Sequence, residues 1–453
     1  MKSKQKLITL EEALQSTRRE CCDRFERHVN PEEARLFKLI NMDKRYTMAE
    51  GVTLHDDKGN TLLDFTSGYG ALNLGHNPTE VLEAVRAAST LPAVLLMGHS
   101  PLMGALASNL AALMPGELEV SAFGSGGAEA VEIALRTAKA STRRKKFLSC
   151  NNGYHGLSFG AISVSGAKRY CEALGPLMDQ CESIPFGDLD ALESKLKGDD
   201  VAAFVVEPVQ GEGGIVVPPK GYLKAAENAC HRHGTLLILD EIQTGFGRTG
   251  KLFAMEHEGV VPDIVTLSKS LGSGVVPISV AITTEQIWKK AYGSRDRFDL
   301  VISTFGGHSR ACAAALKTIE IMTREKLWER AADLGTYAKK ELGRINSDVK
   351  HVKEVRGLGL LLGVELSPPS IPGANMDENF GGMIINSLAD KHGILTAYCD
   401  LAPTVLRFEP PLIITKEQID KGLNAYEAVL GKGMLGLTMG FLKTAVGRAI
   451  RPP

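Results

Sequence analysis

No run of apolar residues in this 453-residue chain approaches the roughly 18 that a membrane-spanning helix needs. An excess of one charge is missing too. The 52 Lys and Arg stand against 53 Asp and Glu, a net charge of −1, which argues against a basic nucleic-acid-binding surface. A Cys-x-x-Cys pair is absent: Cys21, Cys22, Cys150, Cys171, Cys181, Cys230, Cys312 and Cys399 are scattered without ligand spacing. They read as the reduced thiols of a cytoplasmic protein. His231 and His233, spaced by two, fall on different faces of a helix and do not make a metal pair. The opening MKSKQKLITLEEALQ has basic residues but no apolar core or small-residue cleavage site. Glu11 and Glu12 follow too soon for a transit peptide. Internal repeats and low-complexity tracts are also lacking. The expectation is a soluble cytoplasmic protein.

What is present is ordinary globular material, 44% hydrophobic and 23% charged, long enough for two or three domains. Residues 10–29 have helical spacing, and 48–65 read as a hairpin turning at Asp56–Asn60. From about residue 79, helices and short strands alternate, the mark of a doubly wound, mostly parallel sheet. The expected strands are 146–150, 161–165, 202–207, 235–240, 264–268 and 278–283. A long helical stretch over 312–346 leads to a smaller α+β unit containing 355–366, a helix at 381–393, a strand at 405–415 and a last helix at 416–430. The expected divisions are an N-terminal segment of the small domain (1–78), a large domain (79–330), a C-terminal small domain (331–430) and a basic amphipathic tail (431–453). In the tail, Leu435, Met439, Leu442, Val446 and Ala449 share a helical face. Packing on its own protein is preferred there over a membrane-surface or partner-docking helix.

The chemistry gathers at strand ends. The apolar run 235–239 ends on Asp240, and 264–267 is followed by Ser268 and Lys269. If the two runs are neighbouring strands, a carboxylate and an amine meet at the sheet edge where α/β proteins bind ligands. A Lys there can form a Schiff base, and an Asp there can hold the ring nitrogen of pyridoxal phosphate protonated. Gly124-Ser125-Gly126-Gly127 lies between a strand and a helix, where free amides attract phosphate. Tyr154-His155-Gly156 follows another strand, and an aromatic there can stack on a ring. Glu207 ends a strand, with a second carboxylate at Glu212. Arg407 is a lone cation in an apolar strand and needs an anion if buried: a substrate carboxylate or a structural salt bridge.

Two motif matches fail on context. Gly245-Phe246-Gly247-Arg248-Thr249-Gly250 spells GxGxxG, but no apolar helix begins at Gly250, so a dinucleotide site is set aside. Read as a P-loop, the same stretch has Leu252 where Ser or Thr must reach magnesium.

Together these residues resemble the class III pyridoxal-phosphate aminotransferases over about 45–430. The carriers are LeuAspGluIleGlnThrGlyPheGlyArgThrGly (239–250), SerLysSer (268–270), GlyTyrHisGly (153–156), GluProValGlnGlyGluGlyGly (207–214), ThrPheGlyGly (304–307) and ArgPheGluProPro (407–411). Within the group, HisValAsnPro (28–31), AspAspValAlaAla (199–203) and the GluProPro after Phe408 are most similar to putrescine aminotransferases. The resemblance implies a fold-type I enzyme with pyridoxal phosphate as cofactor, a large doubly wound domain and a smaller α+β domain. It implies Lys269 as Schiff-base lysine and proton shuttle, with Asp240 on the pyridinium. Gln243 would lie by the phenolic oxygen, Tyr154 would stack on the ring, and His155 and Glu207 would complete the cofactor site. The turn Ser125, Gly126, Gly127 and Ala128 would hold the phosphate. Thr304 would reach the phosphate of the neighbouring subunit in a homodimer. Arg407 would bind the carboxylate of glutamate or 2-oxoglutarate, and Glu212 would neutralise it when an amine without that carboxylate enters.

The implied reaction moves an amino group from a primary amine, such as putrescine or an ω-amino acid, to a 2-oxo acid such as 2-oxoglutarate or pyruvate. An aminomutase, racemase or decarboxylase on the same fold, or a catalytically retired binding protein, remains as an alternative. Two departures from the family pattern stand out. Ser125-Gly126-Gly127 replaces the usual Asn-Ser-Gly or Asn-Thr-Gly, removing one hydroxyl from the phosphate site. His308-Ser309 replaces the usual Asn-Pro.

Overall fold

Short β-branched and leucine-rich runs, separated by helix-length amphipathic segments, build a seven-stranded sheet in the computed structural model, which describes residues 7–349, 351–368 and 376–432. The strand order is Leu118–Gly124, Ser279–Thr284, Ile264–Leu267, Leu236–Asp240, Val201–Val206, Lys146–Cys150 and Cys181–Ile184. Ser279–Thr284 runs antiparallel to both neighbours, and the remaining pairs are parallel. Every residue of Val201–Val206 and of Ile264–Leu267 is buried, as both-face coverage of a parallel sheet requires. One face carries Val131, Ile133 and Ala134 of helix Gly127–Thr142 against Ala203 and Ile238. The other face packs Phe204 and Leu237 under helix Tyr222–Arg232. Leu236–Asp240 and Ile264–Leu267 are adjacent and in parallel register, Asp240 opposite Thr266. That register brings Asp240 and Lys269 to one edge of the sheet.

Two smaller sheets flank the large one. Tyr46–Glu50, Thr53–Asp56 and Thr61–Asp64 form a meander, and Ile394–Leu395 joins it in parallel with Thr61–Asp64. The second sheet orders Val352–Leu358, Leu361–Leu366, Ala402–Phe408 and Tyr398–Cys399. Asp56 holds the expected turn by accepting from the amides of Lys58 and Asn60 at 2.9 and 2.8 Å.

Several local readings are corrected. Residues 161–165, expected as a strand, belong largely to helix Phe159–Ser163. Ala161, Ile162 and Val164 are buried, and so short a run fits one turn of buried helix as well as a strand. The helix over 10–29 splits because Thr17 and Glu20 form a capping box that starts Arg18–His28 anew. The stretch 312–346 is two helices, Ser309–Glu325 and Leu327–Asp348, broken where Lys326 turns left-handed at φ 48°. The strand expected over 405–415 ends at Phe408, since Pro410 and Pro411 donate no hydrogen bond. The tail helix expected over 431–453 lies almost wholly outside the described residues. Among the described residues no helix is long and apolar enough to cross a membrane.

Candidate active site

A cavity of about 300 Å³ opens at the strand ends, lined by Gly127, Ala128, Tyr154, His155, Gly156, Leu157, Glu207, Asp240, Ile242, Gln243 and Lys269. Lys269 starts a short 3₁₀ turn two residues past the end of its strand, with φ at 39°. For a long side chain that left-handed value is an outlier, and such strain collects at functional sites. Burial pushes its ammonium below the usual lysine range, partly offset by the carboxylates of Glu409 and Glu212. Asp240 is fixed on both oxygens. Its Oδ2 lies 2.6 Å from Nδ1 of buried His155, and its Oδ1 accepts from the Ile242 amide at 3.1 Å and from Thr266 Oγ1 at 3.2 Å. Burial alone would lower the His155 pKa, but the Asp240 carboxylate outweighs it and raises it.

Glu207 accepts the amides of Tyr154 at 2.9 Å and Gly211 at 3.0 Å, tying the Tyr154 turn to the 207–214 loop. Burial pushes its carboxyl up to about 7. Gln243 sits over Gly211, where a Cβ would fall 1.9 Å from its Oε1, so a side chain at 211 would expel the amide. The helix Gly127–Thr142 begins at the cavity with Gly126 as its cap. Glu129 takes the Ser125 amide at 2.7 Å, and the amides of Gly126, Gly127 and Ala128 have no protein acceptor among the described residues. Free amides at a helix start favour an anion.

A second cluster lies beside the cavity. Arg407 is fully buried at the end of its strand, and Tyr69 stacks with its ring centroid 5.0 Å from the guanidinium carbon. Arg407 Nη1 donates to Glu409 Oε2 at 2.9 Å. Glu212 Oε1 stands 2.6 Å from Nη2 without the alignment of a hydrogen bond, so Nε and Nη2 keep unfilled N–H groups. The other Glu212 oxygen accepts the Asp400 amide at 2.9 Å. Glu409 Oε1 accepts from Gln243 Nε2 at 2.9 Å, so its carboxylate bridges the two clusters.

These residues fit pyridoxal phosphate. A buried amine, a carboxylate anchored by His155, an aromatic side chain and a set of free helix-start amides match its aldehyde, ring nitrogen, ring face and phosphate. Of the residues singled out from the sequence, the structure brings Gly127, Ala128, Tyr154, His155, Glu207, Asp240, Gln243 and Lys269 into one lining. Ser125 and Gly126 stand at the helix start outside it, and Glu212 and Arg407 pair beside it. Thr304 is exposed and takes no part in the lining.

A model of the family described as aminotransferase class-III matches residues 39–430. The chain belongs to the class III aminotransferases. This family is pyridoxal-phosphate-dependent. The chain is 35% identical over 454 residues to the aminotransferase PigE of Serratia sp. (strain ATCC 39006), which covers 91% of this chain. It spans only 53% of that relative's length. Among solved structures, the ornithine aminotransferase of Toxoplasma gondii ME49 superposes with a TM-score of 0.83 at 32% identity, covering 94% of this chain and 98% of its own. An amine transaminase from an uncultivated Pseudomonas species, solved in a PLP-bound form, gives 0.79 at 30% identity, covering 86% and 95%. The fold is that of these fold-type I transaminases.

Sequence reasoning gave no role to Tyr69, Arg248 or Glu409. Tyr69 lies in an N-terminal turn that carried no motif, and its signal is conformational. Ser67, Gly68, Tyr69 and Gly70 all have positive φ, a run visible only in coordinates. Arg248 and Glu409 stood inside recognised motifs, but nothing in the letters pairs residues 161 positions apart.

Proposed function

We propose that the chain transfers an amino group between a primary amine, of the diamine or ω-amino acid class with putrescine as first candidate, and a 2-oxo acid such as 2-oxoglutarate or pyruvate. The observation that carries this reading is Arg407, a buried cation whose Nε and Nη2 donors are unfilled while Glu212 stands beside them. A substrate carboxylate suits that edge, and Glu212 covers it when an amine without a carboxylate enters.

When bound, pyridoxal phosphate supplies an electron sink that makes the C–H bond next to a substrate nitrogen breakable. Each residue then has a separate task. Lys269, its ammonium destabilised by burial, holds the cofactor and moves a proton at Nζ across the substrate carbon. Asp240, braced by His155, keeps a positive ring nitrogen in place. The amides of Gly126, Gly127 and Ala128 hold the phosphate, and Ser125 shapes their turn. Tyr154 covers a ring face, Gln243 orients the phenolic oxygen, and Glu207 holds the loop that carries Tyr154.

We further propose a homodimer in the cytoplasm, with Thr304 of each chain reaching the other's phosphate site. Exposed Leu96, Met97, Phe159, Phe298, Ile302 and Phe305 support an interface of that kind. Residues 79–330 are read as the large domain, and 1–78 with 331–430 as the small one; the shared strand pairing of Thr61–Asp64 with Ile394–Leu395 supports this.

The test is the visible spectrum of the PLP-loaded protein. Putrescine is expected to bleach the band, and 2-oxoglutarate to restore it. A band unmoved by putrescine, ω-amino acids and 2-oxoglutarate overturns the reading.

A further inference from the structure

We propose that Glu409 is a positioning residue that sets the balance between cationic and dicarboxylate substrates by holding Arg407 half-neutralised from behind. This rests on the aminotransferase reading above and deepens it. Glu409 is fully buried, with one oxygen on Arg407 Nη1 at 2.9 Å and the other on Gln243 Nε2 at 2.9 Å. Arg248 Nε is a further 4.0 Å from Oε1 and has no hydrogen-bond partner of its own. Room for this carboxylate is provided by Gly70. Its φ is 82°, and a Cβ there would fall 2.8 Å from Glu409 Oε1.

The bridge has two geometric consequences. A carboxylate only accepts, so Glu409 fixes Nε2 of Gln243 toward itself and fixes which end of the amide faces Gly211. It also occupies the Nη1 corner of Arg407 permanently. The remaining edge is Nε with Nη2, where Glu212 stands 2.6 Å from Nη2 without an aligned hydrogen bond, and its two parallel donors match the two oxygens of a substrate carboxylate.

The electrostatic consequence sets the direction of selectivity. An incoming carboxylate on Arg407 meets a second negative charge that cannot leave, because Glu409 is buried behind the guanidinium. Glu212, by contrast, lies on the side of the Asp400 and Leu401 amides and yields its place. Glu409 therefore disfavours a second carboxylate and favours an ammonium entering near Lys269, for which it is the foremost charged neighbour. Removing its charge lifts the repulsion on the ligand. It lifts less of the repulsion on Glu212, which moves only aside, so the net change favours the dicarboxylate.

The experiment compares wild type with Glu409→Gln and Glu409→Asp, each loaded with pyridoxal phosphate. Glutarate, a dicarboxylate without a carbonyl, reports the Arg407 edge by equilibrium binding, independent of turnover. Putrescine reports the cation side through the concentration that half-bleaches the visible band. E409Q is expected to bind glutarate about tenfold tighter and to require about tenfold more putrescine. E409D, which keeps the charge, is expected to stay within about threefold of wild type on both. Opposite movement of the two ligands is the signature that a merely structural loss does not give. If both ligands weaken together in E409Q, or neither moves, the proposal is overturned. Should E409Q not fold, Glu409→Met, apolar and of the same length, is put to the same two titrations. Failure of the wild type to bleach with any amine is a separate outcome, which overturns the aminotransferase reading and leaves the glutarate comparison to be judged alone.

Discussion

At the scale of single residues, burial sets the chemistry. Lys269 is held below its usual range because its charged form is desolvated, which makes its proton easier to give up than that of an exposed lysine. Lys269→Ala is expected to retain pyridoxal phosphate by its phosphate and ring contacts, yet to lose amine turnover by at least about a thousandfold in single-turnover kinetics. Glu241 is a different case. It is wholly buried, accepts from Thr244 Oγ1 and from the amides of Ala254 and Met255, and never meets the cavity. Burial pushes its carboxyl up to about 7 from an ordinary 4.5. Below about pH 4.5 it is protonated folded or unfolded. Between about 4.5 and 7 only the folded form keeps the proton, so its contribution to stability falls as pH rises through that window. Glu241→Gln cannot ionise. Its melting-temperature deficit relative to wild type is therefore expected to narrow between about pH 5 and pH 8, and a gap that widens would reverse the assignment.

At the scale of elements, the sheet was legible because its strands carry their own signals. TLLILD and IVTLS are too short and too β-branched for helices, and both end on a polar residue at a sheet edge. Lys269 and Asp240 could thus be paired from the letters. The 161–165 segment was not legible, since one turn of buried helix and one buried strand share a composition. Helix ends set by φ, as at Lys326, were equally hidden. Contacts between backbones left no signal beyond a glycine. Gly335 in helix Leu327–Asp348 is one: a Cβ there would fall 2.0 Å from the carbonyl oxygen of Gly359, between the strands Val352–Leu358 and Leu361–Leu366. Gly335→Ala is expected to cost about 1–3 kcal/mol in urea unfolding by pushing helix and hairpin apart. Arg248 is the polar counterpart. Its Nη1 donates to Leu360 O at 3.0 Å and Pro410 O at 2.6 Å, and its Nη2 to Ser67 Oγ at 3.0 Å and Asn73 Oδ1 at 2.5 Å. Arg248→Met leaves these buried acceptors unfilled and is expected to cost about 3–5 kcal/mol in the same assay.

At the scale of the whole molecule, the proposed dimer follows from what the chain leaves uncovered. Met97 is 92% exposed and Phe305 61%, apolar side chains that the proposed interface would cover. Met97→Asp combined with Phe305→Asp is expected to give monomers by light scattering and to loosen pyridoxal phosphate in equilibrium dialysis, if Thr304 serves the neighbouring site. Most of the residues proposed for the cofactor could be singled out from the sequence because they stand at strand ends and turns within 125–269, and the structure gathers eight of them in one lining. The substrate half could not be completed, because Tyr69, Gln243, Arg407 and Glu409 meet only after the chain has folded back on itself.

The knot of Arg248 with Ser67, Asn73, Leu360 and Pro410 can close only after residue 410 has been made. A chain paused on the ribosome with residue 300 outside already owns the lysine, the aspartate and the phosphate turn. It does not own Arg407, proposed to read a substrate carboxylate, nor Glu409 behind it. Those arrive with strand Ala402–Phe408 and the residues just after it, well after residue 300. On the proposed roles, the residues for the cofactor are therefore synthesised before the Arg407–Glu409 pair that is to choose among substrates.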